Sequence, residues 1–453
     1  MIKRITKQSK QLILVFFGLV PLSQFAQNKD AEFNLQTALE YAYKHNANYL
    51  NAELDAQQSN FKKKEIAGLG LPQINGSVDV KDYLEIPTSL LPGQFFGFPP
   101  GTYIPVKFGV QYNATAGISA SQLLFSSDYI VGLIAAKELV QLSKKNILRS
   151  KAETAQNVTK AYYMVLVNKE RIKLLDANIE RIKKLLDDTK ALNKEGFIEQ
   201  IDVDRLEVTY NNLTNEKVKI ERLIGVSETF LKFQMGFPIE ESLSITETLE
   251  NYKNMNSPME ENSKINFSDR PEYALLESQK KLNEINLKRN RLSYLPTLAG
   301  YAALNYNAQR TKFDFFDSKQ SWFPIGLIGA TLNVPIFDGL QKHYRIQQAK
   351  IDILKSKNSL HYLENVIVLE AINAKTAFKN ALTSLESSSK NMTLAQNIFN
   401  VSEKKYQQGV GSNIEVLNAE TSLREAQTNY YNSLYDLLIA KTDYQKATGT
   451  LVK

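Results

Sequence analysis

The 453-residue chain contains no cysteine. That excludes disulfides, thiolate metal sites, a cysteine nucleophile and an N-terminal lipid-modified cysteine. Histidine is almost as scarce: His45, His343 and His361 are the whole set, and they leave little for metal or proton chemistry. All three read as surface or interface residues on helical patterns. Beyond the N-terminus no stretch approaches the roughly 18 apolar residues that a membrane-spanning helix needs. A mature chain that crosses a membrane must then do so as a closed barrel, the other arrangement that leaves no backbone group unpaired. There is no nucleophile elbow, no phosphate-binding glycine loop and no set of paired metal ligands. No catalytic, cofactor-binding or metal residue is therefore expected, and no enzyme.

The formal net charge of +7 is concentrated at the start. Lys3, Arg4, Lys7 and Lys10 stand in the first 26 residues without an acid among them, and beyond them 51 basic residues face 48 acidic ones. So even a balance gives no argument for nucleic acid. The basic stretch is followed by the apolar run 12–20, then Pro21, with a cut expected after Ala26 although Gln24 stands where a small residue is preferred. This is the layout of a signal peptide. An N-terminal membrane anchor is the alternative.

What is present in abundance is internal similarity. The stretch 194–203, built on Gly196, aligns with 407–416, built on Gly409. Gly236 and Gly449 follow at the same distance; Leu71-Pro72 matches Leu295-Pro296, and Leu124-Phe125 matches Ile336-Phe337. The first half carries 12 extra residues in a Pro/Gly/Phe-rich loop between Tyr83 and Val106. The reading is a signal peptide 1–26, a first repeat 27–237, an equatorial segment 238–270 and a second repeat 271–453. Each repeat is expected to contain a helix, a β-hairpin, a very long helix and a shorter one. The first has helix 35–70, hairpin 73–121 with strands 73–86 and 106–121, and helices 127–195 and 200–235. The second has helix 271–294, hairpin 297–334, and helices 339–408 and 412–447.

Seven-residue recurrences mark the helices as coiled coils: Val158, Val165, Ile172, Ile179, Leu186; Ile346, Ile353, Leu360, Ile367, Ala374; Val416, Leu423, Tyr430, Leu437, Tyr444. A strict period of seven keeps one seam facing a partner. In the first half the two shorter helices, stacked end to end, match the length of the long one. The hairpins alternate instead. Ile74, Val78 and Val80 fall on one face and Asn75, Ser77, Asp79 and Lys81 on the other, the period of a strand with one side in oil. The second hairpin alternates less cleanly. Phe95, Phe96, Phe98, Tyr103, Phe313, Phe315, Phe316, Trp322 and Phe323 crowd the strand ends, as in an interfacial girdle. Four strands do not close a barrel, since small membrane barrels need about eight, so identical copies must share one.

The ordered set, and above all Tyr406-Gln-Gln-Gly409-Val-Gly-Ser-Asn-Ile-Glu415-Val-Leu-Asn-Ala419 with the opening helix Leu35 to Asn46, resembles the TolC-like outer-membrane efflux proteins over nearly all of the mature chain. The resemblance implies a mainly α fold with a membrane β-barrel. Long antiparallel coiled coils and two hairpins per chain would close as a homotrimeric twelve-stranded barrel in outer-membrane lipid, continued by a periplasmic helical tunnel. It implies a conduit without its own energy source, serving multidrug efflux, metal-ion efflux or type I secretion with a periplasmic adaptor and an inner-membrane pump.

It further implies a gate at the far end. Glu415 would join a ring of acids at the tunnel mouth that favours cations, and Tyr406 matches a gate tyrosine. Asn418 stands where the founding member has a second acid, and Gly411 where it has an arginine, so the ring looks weaker and a polar latch is missing. Asp202 is the first repeat's counterpart of Glu415. The adaptor-contacting tip would comprise Gly196, Phe197, Ile198, Gly409, Val410, Gly411 and Ser412. A plainer role stays open: Ser412-x-x-Glu415 is a capping box, and Asp202 also sits in a first helical turn, where an acid suits the dipole. A secreted trimeric coiled-coil scaffold or adhesin is the competing class, which leaves the hairpins unexplained.

Overall fold

The computed structural model describes residues 31–252 and 266–452. The expected signal peptide and the middle of the equatorial segment lie outside the described residues. In chain order the elements are β1 (Ala31–Phe33), α1 (Leu35–His45), α2 (Ala47–Gly68), β2 (Gln73–Asp82), β3 (Thr88–Pro92), β4 (Tyr103–Lys107), β5 (Tyr112–Phe125), α3 (Ser127–Lys194), α4 (Gln200–Met235), β6 (Leu243–Ile245), α5 (Pro271–Leu292), β7 (Thr297–Arg310), β8 (Phe323–Asn333), α6 (Gln341–Gln407) and α7 (Asn413–Ala447).

Two uninterrupted helices set the scale. α3 and α6 have 68 and 67 residues and no proline, so each reaches about 100 Å at the helical rise. α2 lies along the first part of α3 and α4 along the second; on the other side α3 meets α5 and then α7, and α6 lies beyond both. Next to the sheet the order across the wall is α2–α3–α5–α6, and farther away it is α4–α3–α7–α6. Burial explains the arrangement. Every residue of the three seven-residue series is buried or half-buried, and Val158, Val165, Ile367 and Val416 are fully so.

The largest core sits where the two orders exchange. Tyr162 and Leu166 of α3, Leu231 and Met235 of α4, and Leu434 and Leu438 of α7 meet Phe33, Phe237 and Leu243 there, around the short parallel pair β1–β6. Arg270, 4% exposed, fastens the start of α5 to α6 and to the end of α7. Its guanidinium lies 2.8 Å from Glu370 of α6 and donates to the Ala447 carbonyl at 3.1 Å.

The expected single helix over 35–70 is broken. Asn46 takes an extended backbone, and its Oδ1 accepts from the Asn48 and Tyr49 amides at the start of α2. Its Nδ2 donates to the Gln234 carbonyl at 2.8 Å. One buried asparagine thus ends α1, caps α2 and ties both to the end of α4. The first hairpin is also shorter than the expected strands 73–86 and 106–121. β2 pairs with β5 as far as Asp82 and Tyr112, and a separate small hairpin, β3–β4, continues beyond the interruption. Pro87 has no amide for a ladder, and Gly109 turns at φ 122°.

The four-stranded sheet runs β2–β5–β7–β8, antiparallel throughout. Its registers place Ile74, Val78, Val80, Ile118, Leu304, Ile328 and Leu332 on one face, all exposed. Asn75, Ser77, Asp79, Thr115, Ser119, Asn305 and Asn307 share the other. β8 departs from this division, with Phe323, Ile325 and Leu327 on the polar side.

Gly236 closes α4 at φ 72°, and a Cβ there would stand 2.4 Å from the His45 carbonyl oxygen. Gly196 has a similar φ of 82° with open space around it. Gly196→Ala should cost only the left-handed strain, about 1–2 kcal/mol. Gly236→Ala must also displace the α1–α2 junction and should lower the midpoint of thermal unfolding distinctly further. Helical circular dichroism of both variants in detergent checks this, and equal shifts would contradict the tight junction.

Candidate functional site at the helical tip

The end of the wall farthest from the sheet consists of two turns, one joining α3 to α4 and one joining α6 to α7. Both stop their long helix in the same way. Gly196 and Gly409 take φ 82° and 74°, where a glycine pays no Cβ penalty. Phe197 N then donates to Leu192 O, and Val410 N to Lys405 O, each at 3.0 Å. These bonds satisfy carbonyls that the helix end would otherwise orphan. The glycines leave the next side chain without cover: Phe197 and Val410 are 78% and 76% exposed. Ile198 is half-buried, its carbonyl held by Asn193 Nδ2 at 2.7 Å. At Gly411 a Cβ would stand 2.9 Å from that of Lys405 and 3.1 Å from the Tyr406 amide nitrogen, so this turn is shaped for glycine.

Of the expected gate residues, Tyr406 and Asp202 come together: burial first and the Asp202 carboxylate second raise the Tyr406 hydroxyl above its ordinary range. Tyr406 is half-buried against α3, its hydroxyl 3.1 Å from Thr189 Oγ1. Thr189 gives its own proton to the Leu185 carbonyl at 2.8 Å, so Tyr406 is the donor. Asp202 is half-buried and paired with Arg205 at 3.4 Å. Glu415 and Asn418 lie exposed on α7. Ser412 Oγ accepts the Glu415 amide at 3.3 Å, so half of the capping box is formed. The Glu415 carboxylate makes no hydrogen bond or ion pair among the described residues. The cap therefore does not consume its charge.

One tip residue escaped the sequence reading. Asn413 is 3% exposed and donates from Nδ2 to the Asp202 carbonyl at 2.7 Å, joining the two turns. It begins a series at intervals of seven on α7: Asn413, Glu420 and Gln427 are all at most 5% exposed. Gln427 Oε1 accepts from Asn178 of α3 at 2.7 Å, and Arg181 donates to Asn178 while lying 5.2 Å over the Phe399 ring. Arg181 Nε and Glu420 Oε1 are buried without hydrogen-bond partners. The seam between the two helical pairs thus carries a polar layer between the main core and a second apolar cluster, with Leu186, Leu206, Phe399, Val416 and Leu423, nearer the tip. The signal was the spacing 413–420–427, hidden because polar residues are not sought at seam positions.

Burial pushes the Glu420 carboxyl above the ordinary carboxylate range; Arg424 and Arg181 oppose the rise and Glu216 adds to it. A raised folded pKa means tighter proton binding in the folded state. The stabilisation is full below the unfolded pKa and is lost as pH climbs through the folded one. Glu420→Gln should then unfold at a higher temperature than the parent at neutral pH, with the difference vanishing in acid. Thermal unfolding followed across pH measures it, and a variant weaker at neutral pH would show that the arginines outweigh burial.

With this geometry in place, comparison with known proteins is direct. Residues 274–450 match the model of the family described as Outer membrane efflux protein. The chain is 21% identical over 355 residues to the outer membrane protein TolC of Escherichia coli strain K12, covering 76% of this chain and 71% of that one. Among solved structures it superposes on CusC with a TM-score of 0.74 at 14% identity, over 94% of this chain and 95% of that one. It superposes on VceC from Vibrio cholerae with a TM-score of 0.68 at 14% identity, over 92% and 96%. The apolar face of the sheet, the long helical wall and these likenesses agree: the chain resembles the TolC-like outer-membrane efflux proteins, channel proteins of the outer membrane with a periplasmic helical portion.

Proposed function

We propose that three copies of the chain close head to tail into one pore. The pore is a passive conduit that receives substrate from an inner-membrane pump through a periplasmic adaptor. The observation that carries closure is the sheet itself. Its four strands leave two free edges, β2 and β8, and a free edge in hydrocarbon leaves amides and carbonyls without partners. The helical wall has free edges on the same two sides. Leu54 and Phe61 of α2 and Val226 and Phe233 of α4 are 57%, 65%, 64% and 64% exposed; on α6, Ile351, Tyr362, Leu369 and Ile398 are 52%, 71%, 57% and 56% exposed. The two sides differ, so each fits the other and not itself, which favours a ring over a two-fold dimer. Three copies give the twelve strands that the family resemblance implies. The same order of elements in 47–235 and 271–447 supports an internal duplication.

In such a ring the helical tip is the part farthest from the outer membrane. Its exposed Phe197 and Val410, with Gly196, Ile198, Gly409, Gly411 and Ser412, form an apolar rim for the adaptor. Glu415 faces the entrance beside Asn418 as the charged member of the constriction, and Tyr406 and Asp202 hold the adjoining helices.

Three measurements test this reading. The purified protein in detergent should have the mass of three chains and conduct in planar lipid; a monomer without conductance would sink the proposal. Glu415→Gln should lower cation preference in single-channel recordings, and unchanged selectivity removes the ring role. Val410→Asp should abolish crosslinking to the adaptor and pump while the trimer persists; unaffected crosslinking argues against docking at the tip.

A further inference from the structure

The polar face of the sheet breaks its own pattern most plainly on its fourth strand. Across the rows that carry Asp79, Thr115 and Asn307, or Ser77, Gly117 and Asn305, the fourth strand contributes Phe323 and Ile325. Phe323, Ile325 and Leu327 are 60%, 48% and 45% exposed, and the opposite side of the same strand carries Ile328 and Leu332. A strand apolar on both faces is the pattern of a strand covered on both faces. Lipid covers one side of β8, and among the described residues of its own chain nothing covers the other. The anomaly is confined to the end of β8 away from the helices; toward them the same face returns to Gly329, Thr331 and Asn333.

That same end of the sheet bears a second unpartnered apolar surface. The β3–β4 hairpin continues outward from β2, with Leu90, Phe95, Phe96 and Phe98 exposed at 65%, 81%, 54% and 53%. It is a formed structure: Gly93 N donates to Thr102 O at 2.7 Å, and Thr102 Oγ1 to Pro99 O at 2.7 Å. Its rings are thus presented on a folded tip. Within one copy β2 and β8 are opposite edges of the sheet, three strand spacings or about 14 Å apart. In the ring, β2 of the next copy lies beside β8 and brings its hairpin with it.

We infer that the β3–β4 hairpin of each copy lies over Phe323, Ile325 and Leu327 of its neighbour, so that three hairpins form a lid narrowing the outer mouth of the pore. The occupant of each apolar patch is a second copy of this chain, because the two surfaces share one end of the barrel and adjoin the seam through which β8 and β2 must pair. The inference rests on the ring proposed above.

The cysteine-free sequence makes the test clean. Phe96→Cys combined with Ile325→Cys, oxidised in outer membranes, should link copies into covalent dimers and trimers on denaturing gels, and neither single variant should. Replacing 93–98 by a short glycine-serine turn should speed severalfold the labelling of a polar-face cysteine, Asn307→Cys, by a bulky maleimide added from outside the cell. A conducting trimer that forms no such link, or one whose Asn307→Cys is labelled no faster without the hairpin tip, overturns the lid and leaves the ring standing; a monomer removes both. Labelling of Phe96→Cys by a lipid-linked maleimide in the intact trimer would place the hairpin on the bilayer and also overturn the lid.

Discussion

An unpaired strand edge in hydrocarbon is the constraint from which the rest of this protein follows. Backbone amides and carbonyls that find no partner in lipid cost several kcal/mol each. A chain with four membrane strands cannot satisfy its edges by itself. In the proposed ring the sheet calls for association, and association for the wall. Helices that continue the strands inherit their order, so α2 and α4 lie under the β2 side and α6 under the β8 side. The exposed apolar residues at both margins of one copy are not faults in a globule. In the proposed ring they become surfaces between copies.

Wall length poses a second problem, which the chain meets by changing partners halfway. α3 is paired first with α2 and then with α4, and the exchange needs a joint that leaves no helix end unsatisfied. Asn46 and Gly236 form it: one caps α2 and reaches the end of α4, the other lets the α4 backbone approach within the space a side chain would fill. The core thickens at this level, where Tyr162, Leu231 and Leu434 meet. Below it the seam between α3 and α7 carries a polar layer before the apolar cluster near the tip. Buried hydrogen bonds such as Asn178 to Gln427 add only about 1 kcal/mol each. They do exclude any register that would leave them unpaired, which apolar contacts alone do less well.

How far this was legible depends on what each residue type reports. Mainly helical character and membrane strands could be read from two incompatible periods, seven and two, because burial on one side imposes them directly. The break at Asn46 could not, since asparagine after a helical run reads equally as an exposed helical residue. Its role is set by Gln234, a residue 188 positions away. The end of the first hairpin was misjudged because alternation persists through Tyr83 to Ile86, while pairing stops where Pro87 and Gly109 spoil the ladder. At the tip the glycine turns were visible as left-handed helix ends. Asn413 was not, because a cap-adjacent asparagine carries no sign that it bonds across to another turn.

The tip shows how little sequence a helical turn needs to present a side chain outward. A Schellman-type end fixes the backbone through glycine and two hydrogen bonds, so the following side chain is exposed whatever it is. Phe197 and Val410 occupy these positions at almost equal exposure although nothing in the turn requires either residue. The backbone device and the recognition surface are thereby separated. Conformation is held by Gly196, Gly409 and the Asn413 bond, and chemistry is left to the residues just beyond them. Glu415 follows the same logic one turn later: its amide serves the Ser412 cap while its carboxylate has no partner among the described residues. The cap uses only the amide, so the charge at this position is available for the proposed constriction.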